Sequence, residues 1–363
     1  MQTVTLKLAP ILQGSRNYDI HVGSGLIERA GLLMTQAGLR HKAVIVTDET
    51  VGRIYAGRLR QSLKAAGFET ALLQVPPGEE HKSLETAARL YAELTALYAE
   101  RTTAIVALGG GVIGDLAGFV AATYMRGVPL VQAPTTILSQ GDSSIGGKVA
   151  VNHGDLKNKI GAFYHPRLTI SDVSTLRSLS TREVSDGLAE IIKYGMILDA
   201  GLFQFLEDNM DGIRSLDEGL LEHIIGASAR IKAAIVEKDE LDLGFRNILN
   251  YGHSIGHAVE SVSQLSVWHG EAIAMGMMAE ARLANNIGLL EEAAVLRLRD
   301  LVFKAGLPTE IPSLDRSKLL SAMKHDKKVS EGRLRFALPK SIGEGILTDD
   351  VAASAIEQVL DSK

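Results

Sequence analysis

Short apolar runs punctuate the first half of the chain: KAVIVT (Lys42–Thr47), AIVAL (Ala104–Leu108) and PLVQ (Pro129–Gln132). Continuous runs of this length mark strands buried on both faces of a parallel sheet. Amphipathic stretches lie between them. In one, Leu84, Ala88, Tyr91, Leu94 and Tyr98 share a helical face behind Ser83 as a cap. This βαβ rhythm predicts a doubly wound sheet. The character changes after a last short strand, Leu168–Ser171, which runs into STLRSLSTREVS, where Ser180 and Glu183 have capping-box spacing. Beyond it nearly everything has helical period, apart from a small strand at Gly332–Pro339. The pattern predicts a Rossmann-like α/β domain with a mostly parallel sheet over 1–174, followed by a mainly α-helical domain over 175–363.

Composition narrows the function classes. A net charge of −5 argues against a nucleic-acid binder, which usually carries a basic excess. There are no cysteines, which removes disulfides, Fe–S clusters, a thiolate nucleophile and any Cys-based zinc site. A metal must therefore use His, Asp or Glu. The N-terminus lacks the basic-then-apolar pattern of a signal peptide. The longest apolar stretch, Ala104–Met125, contains Asp115 and several glycines, so it makes a poor membrane span. These features predict a cytoplasmic protein without a membrane partner.

Candidate chemistry concentrates in three places. Arg246, Asn250, His253 and His257 are spaced 4, 3 and 4 residues apart, which places them on one stripe of a continuous helix. Gly252 and Gly256 beside the imidazoles leave room for close approach. With Glu190 in LAEIIKYG and His269 in HGEAIAMGM, this stripe can supply a Glu/His set for Zn²⁺, Co²⁺ or Fe²⁺. Spacing alone leaves open whether His257 is a ligand. The HExxH protease reading fails because Ser254 stands at the Glu position.

The second place is a glycine-rich turn. Gly109, Gly111 and Gly114 fit G-x-G-x-x-G, directly after a strand and before the helix-like DLAGFVAATYM. The acidic residue expected about 20 positions downstream is missing, since none occurs between Asp115 and Asp142. A ribose must be held elsewhere, with Asp48, Glu79 and Lys82 as candidates. A ligand-free strand–helix turn explains the motif equally well. The third place is a set of cations: Lys148 in DSSIGGK, Lys157 with Asn158 in LKNKIGAF, and Lys327 and Lys328 in HDKK. Gathered in one site, they suit a small polyanion.

These segments, with YDIHVGSGL, GEEHKSLET, APTTIL and DELDLGFRNILNYGHSIGHAVE, resemble the 3-dehydroquinate synthase family over essentially the whole chain and in the same order. The resemblance implies a divalent metal, zinc preferred and cobalt possible, on Glu190, His253 and His269, leaving His257 to the substrate. It implies NAD against Asp48, Glu79, Lys82, Gly110, Gly111, Val112, Ile113, Gly114, Asp115, Thr135, Thr136, Lys148, Lys157, Thr175, Leu176 and Ser178. Substrate phosphate is expected at Lys148, Asn158, Asn250, His257 and one of Lys327 and Lys328, and substrate carboxylate at Lys232 and Arg246. Asp142 and Lys193 fall to the ring hydroxyls. Lys148, Lys193, Asp142, His257 and Asn250 are the implied catalytic set, and Arg126 is similar to a residue lent across a homodimer interface.

The implied reaction converts a small anionic sugar phosphate, 3-deoxy-D-arabino-heptulosonate 7-phosphate, into 3-dehydroquinate and phosphate. It passes through transient oxidation by NAD, β-elimination, re-reduction and an intramolecular aldol. Other cyclases of the superfamily, making an inosose or a valiolone, act on substrates without a carboxylate, so Lys232 and Arg246 speak against them. An amino-dehydroquinate synthase keeps the carboxylate. A metal-dependent polyol or glycerol-phosphate dehydrogenase of related fold would turn over NAD(H) stoichiometrically. Four positions depart from the family pattern: Val149-Ala150 stands for Thr-Gly, Ser254 for Thr, and Asp242 for Glu.

Overall fold

The computed structural model describes residues 1–7, 17–154, 156–263, 266–325, 329–330 and 333–361. Strands β1 (Gln2–Leu6), β2 (Tyr18–Gly23), β3 (Lys42–Asp48), β4 (Glu69–Val75), β5 (Ala104–Gly109), β6 (Leu130–Pro134), β7 (Lys148–His153), β8 (Leu156–Phe163) and β9 (Leu168–Asp172) occupy the first half. Helices α1 (Ala30–Gln36), α2 (Glu49–Val51), α3 (Gly57–Ala65), α4 (Leu84–Ala96) and α5 (Gly111–Thr123) alternate with them. The chain continues through α6 (Thr181–Leu198), α7 (Ala200–Arg214), α8 (Glu218–Lys238), α9 (His253–Val262), α10 (His269–Asn286), α11 (Glu292–Lys304), α12 (Arg316–His325) and α13 (Ala353–Asp361). Two small antiparallel hairpins, Val329–Ser330 with Arg333–Leu334 and Phe336–Ser341 with Glu344–Thr348, interrupt the last stretch.

Two compact units emerge: residues 1–179 with 221–241, and residues 180–220 with 242–363. The first is built on a seven-stranded sheet of order β1-β2-β9-β6-β5-β3-β4. Only β1 runs antiparallel. The apolar run in β3 has a simple cause. Ala43 and Ile45 pack into a core with Leu59 and Leu63 of α3, while Val44 and Val46 pack on the other face with Leu90, Leu94, Leu116 and Val120 of α4 and α5. Both faces of the strand are dry, so both sets of alternate positions from Ala43 to Val46 are apolar. The chain steps outward from β3 to β4 and then returns to the other side of β3 as β5. That reversal is the switch point where doubly wound sheets open a crevice at their carboxyl ends. Asp48 ends β3 and Gly109 ends β5 at that crevice.

Three expectations change in detail. The buried face of α4 is Ala87, Leu90 and Leu94, with Ala88 exposed. Tyr98 lies beyond the helix in a left-handed turn (φ 51°) and is 84% exposed. The boundary expected after residue 174 falls inside the 3-10 turn Val173–Ser178, and the chain leaves the first unit only after Leu179. Most of α8 then counts with that unit, because its polar groups engage the β1 edge. Arg230 donates to Gln2 Oε1 at 2.7 Å, and Glu237 Oε1 accepts from Lys7 N at 2.7 Å. Helical period gives no sign of such distant partners.

The third correction is local to the site. Arg246 and Asn250 lie on a 3-10 turn, Phe245–Asn250, and His253 and His257 on α9, so no continuous helix carries all four. The break is Gly252, in the left-handed region at φ 80°, which glycine adopts without steric cost. Among the described residues no helix is long and apolar enough to cross a membrane.

Candidate active site

In the second unit, α6 is buried along almost its whole length, from Gly187 to Ile197. Glu190 and Lys193 are on it, one turn apart and both nearly inaccessible. A buried carboxylate needs partners to stay ionised, and three groups surround this one. The Lys193 ammonium meets its Oε2 directly. That oxygen makes no hydrogen bond of good geometry, so the pair is held by charge. His253 Nε2, from the first turn of α9, lies 3.3 Å from Oε1, and His269 Nε2, opening α10, lies 3.4 Å from the same atom.

These spacings suit a metal. Ligand distances of about 2.0–2.2 Å around a tetrahedral zinc put ligand atoms about 3.3–3.6 Å apart. The ligand atoms of Glu190, His253 and His269 all lie within 4.8 Å of one another. The far nitrogens are also engaged: His253 Nδ1 is 3.1 Å from the Tyr251 carbonyl, and His269 Nδ1 is 3.5 Å from Glu260 Oε2. Donation through Nδ1 fixes the tautomer that leaves Nε2 free to ligate. His257 groups instead with Glu260 and His269, its ring 5.1 Å from that of His253.

The electrostatics without an ion follow. Burial pushes the Glu190 carboxyl up, but Lys193 and then His253 more than offset this, and it stays well below the usual carboxylate range. Burial holds His253 down to about 3 against the pull of Glu190. His269 also loses hydration, yet hydrogen bonds to Glu190 and Glu260 raise it to about 10. Its side chain keeps 32% of its surface exposed, so the two carboxylates, not burial, decide its charge. The metal-free set is therefore a carboxylate, a neutral imidazole and an imidazolium.

Two residues absent from the sequence reading support this set. Asp186 Oδ1 accepts a 2.6 Å hydrogen bond from Gly270 N and so holds the start of α10 beside His269. Burial raises the Asp186 carboxyl, with His269 pulling the other way. A Cβ on Gly270 would fall 1.9 Å from the Asp186 carbonyl oxygen, so only glycine lets α10 begin there. Glu260 is the other. Each had a signal: Asp186 is one turn before Glu190, and Glu260 is one turn after His257.

Elsewhere in the second unit, Arg246 is buried, and the Asn250 amide donates to Asn247 Oδ1 at 3.1 Å. Lys327 and Lys328 lie outside the described residues.

In the first unit the glycine turn opens α5 with Gly110 as its cap, and no side chain caps the helix. A helix start without a side-chain acceptor offers its N–H groups to an anion. A Cβ on Gly109 would meet Ile113 at 2.8 Å. Thr135 N donates to Gly109 O, and Thr136 packs against Gly110. Lys82 is buried and bonded at 2.5 Å to both Asp115 Oδ2 and Asn158 Oδ1. Burial raises the Asp115 carboxyl, and Lys82 partly offsets it. Asn152, missed in the sequence, donates to Glu79 Oε1 at 2.9 Å and accepts from Asn158 N, linking all of these groups. Thr175 and Leu176 are fully buried, with the Thr175 hydroxyl donating to the Asp172 carbonyl and Ser178 donating to the Thr175 carbonyl. Their side chains are committed to the fold.

Lys148 and Lys157 extend from the exposed faces of the β7–β8 hairpin. Gly146 and Gly147 just before it take φ 93° and 72°, a reversal that side chains other than glycine rarely allow. Asp142 meets Lys232 of α8 at 2.5 Å through Oδ1 and 2.7 Å through its carbonyl. Arg126 is exposed in a left-handed turn, φ 67°, directly after Met125 at φ 49°.

This fold is that of the sugar-phosphate cyclases. A solved 2-deoxy-scyllo-inosose synthase, complexed with carbaglucose-6-phosphate, NAD⁺ and Co²⁺, superposes with TM-score 0.89 at 29% identity, covering 99% of both chains. The 2-epi-5-epi-valiolone synthase of Streptomyces hygroscopicus, with NAD⁺ and Zn²⁺ bound, gives 0.88 at 28%, over 98% of both. Family models for the 3-dehydroquinate synthase N-terminal and C-terminal regions match residues 72–186 and 187–329. The 3-dehydroquinate synthase of Desulforamulus reducens is 48% identical over 96% of this chain and 97% of its own. The chain belongs to the 3-dehydroquinate synthase family.

Proposed function

We propose that this chain converts 3-deoxy-D-arabino-heptulosonate 7-phosphate into 3-dehydroquinate and phosphate, with NAD and a divalent metal as resident cofactors. The observation that carries the reading is the Glu190–His253–His269 spacing, which fits a tetrahedral dication in a chain of this family. When bound, the dication polarises a ring hydroxyl and NAD accepts and then returns its hydride.

The protein's own groups have the remaining work. Lys193 stands beside Glu190, where its charge can stabilise the enolate-like anion that precedes phosphate loss. Lys148, Asn158, Asn250 and His257 bind the departing phosphate, together with Lys327 or Lys328. Lys232 and Arg246 clamp the substrate carboxylate and fix its orientation, which in itself lowers the barrier by several kcal/mol. Asp142, already held by Lys232, positions a hydroxyl. NAD's phosphates take the Gly110–Asp115 turn with Thr135, Thr136, Lys148 and Lys157, and its ribose takes Asp48, Glu79 and Lys82. The Thr175–Ser178 segment backs it, with Ser178 exposed and Thr175 and Leu176 buried beneath. We assign Arg126 to a homodimer interface, and the chain to the cytoplasm.

The test is a product assay. Substrate with catalytic NAD⁺ should release phosphate without a steady rise in NADH absorbance at 340 nm, because each hydride is returned. Accumulating NADH would mark a dehydrogenase, and faster phosphate release from the amino analogue would move the assignment to an amino-dehydroquinate synthase.

Metal uptake has its own signature. Glu190 is ionised and His253 neutral before metal arrives, so only His269 must lose a proton. Zinc binding should release about one proton near pH 7.5. Apparent affinity should rise with pH until His269 titrates at about 10. Calorimetry in buffers of different ionisation enthalpy counts that proton. A count near zero would contradict the charge assignment.

A further inference from the structure

The helix that carries His253 and His257 has no local cap. Its N-cap residue is Gly252, which offers no side chain. None could be accommodated: a Cβ on Gly252 would meet Met277 Cγ at 2.6 Å and the Ile273 carbonyl oxygen at 2.9 Å. From the other side, a Cβ on Gly276 would lie 1.9 Å from the Gly252 carbonyl oxygen, and one on Gly256 would lie 2.8 Å from the Ala272 carbonyl oxygen. The glycines let the backbones of α9 and α10 touch, and that contact excludes the Ser, Thr or Asp that usually satisfies a helix start.

The missing acceptor comes from Glu280, three turns along α10. It is fully buried. Its Oε2 accepts from Gly252 N at 2.6 Å and its Oε1 from Ile255 N at 3.3 Å, the N-cap and third-residue amides of α9. Tyr251, just before the break, is tied to the same helix by its hydroxyl, which donates to the Met277 carbonyl at 2.8 Å. The Tyr251 carbonyl in turn is the partner of His253 Nδ1. Backbone and imidazole are thus both referenced to α10, which itself begins with His269.

We infer that Glu280 is a positioning residue of the metal centre: its buried carboxylate caps α9 and fixes where His253 stands relative to Glu190 and His269. The inference rests on the metal reading above. A carboxylate suits the place because a negative charge is stabilised at a helix N-terminus, and because both oxygens can accept. A glutamine of the same shape has one acceptor and turns an N–H₂ toward a backbone N–H. One amide is then left unsatisfied, and the first turn of α9 must shift to find another partner.

The experiment measures zinc affinity by chelator competition in Glu280→Gln and in Leu298→Ala, a core truncation on α11 that lowers stability without entering this contact. Loss of a partner that orients a ligand typically costs 10- to 100-fold in metal affinity. Glu280→Gln should therefore bind zinc about 10- to 100-fold more weakly, while Leu298→Ala stays within about threefold of the parent. The visible spectrum of the Co²⁺-loaded Glu280→Gln protein should shift with the altered ligand geometry. Zinc affinity in Glu280→Gln no lower than in Leu298→Ala, with an unchanged cobalt spectrum, would overturn the inference and leave the metal reading standing. A parent protein that takes up no zinc would sink both.

Discussion

Replacing His269 with alanine is expected to abolish stoichiometric zinc uptake and to lower phosphate release by at least about a thousandfold, about 4 kcal/mol. Three protein ligands with one open position are the minimum that catalytic zinc sites use, and this change leaves two. Among the described residues no other His, Asp or Glu groups with Glu190 and His253 to replace the lost nitrogen. His257 is close to His253 and His269 by ring distance but groups with Glu260 and His269, not with Glu190 and His253. The companion variant His257→Ala is the informative contrast. It should keep a full equivalent of metal and lose turnover through weaker handling of the phosphate. Metal analysis on both proteins decides between the two histidines, a choice their spacing in the sequence leaves open. Zinc retained in His269→Ala and lost in His257→Ala would invert the assignment.

What could be read in the sequence, and what could not, divides along the range of the interaction. The capping box at Ser180 and Glu183 is visible because both halves lie within one turn, and it forms as spaced, with Glu183 Oε2 accepting from Ser180 N at 2.7 Å. The buried strands are legible because a sheet covered on both faces favours an unbroken apolar run, as in Ala43–Val46 of β3 and Ala104–Leu108 of β5. The glycine turn is legible from its place between a strand and a helix. Glu280 is invisible for the opposite reason. It caps amides 28 and 25 residues away, and no spacing rule links a helix start to an acceptor on another helix. The same holds for α8, whose partners on β1 are more than 200 residues distant. The 3.6-residue stripe from Arg246 to His257 misleads because glycine inside a periodic pattern reads equally as a helix position or as a break. Only the left-handed φ of Gly252 settles it.

Lys193→Met is expected to move metal affinity and turnover in opposite directions. In the metal-free protein the lysine ammonium lies against a carboxylate that is almost wholly withdrawn from water. Removing one partner of a buried pair typically costs 3–5 kcal/mol. The His269 imidazolium still faces Glu190, which places the expected loss of apoprotein stability at the lower end, about 3 kcal/mol. A bound dication supplies the charge that Lys193 no longer does, and it escapes repulsion from the ammonium, so the zinc-loaded variant should lose much less. Linkage then requires that zinc bind more tightly, by about tenfold for each 1.4 kcal/mol of that difference. Turnover should nonetheless fall about 100- to 1,000-fold, the usual cost of removing one preorganised group aimed at a developing negative charge. Thermal unfolding with and without zinc, chelator competition and phosphate release measure the three quantities separately. Weaker zinc binding in Lys193→Met would mean that the lysine serves the ligand set itself, and the division of labour between Glu190 and Lys193 would have to be redrawn.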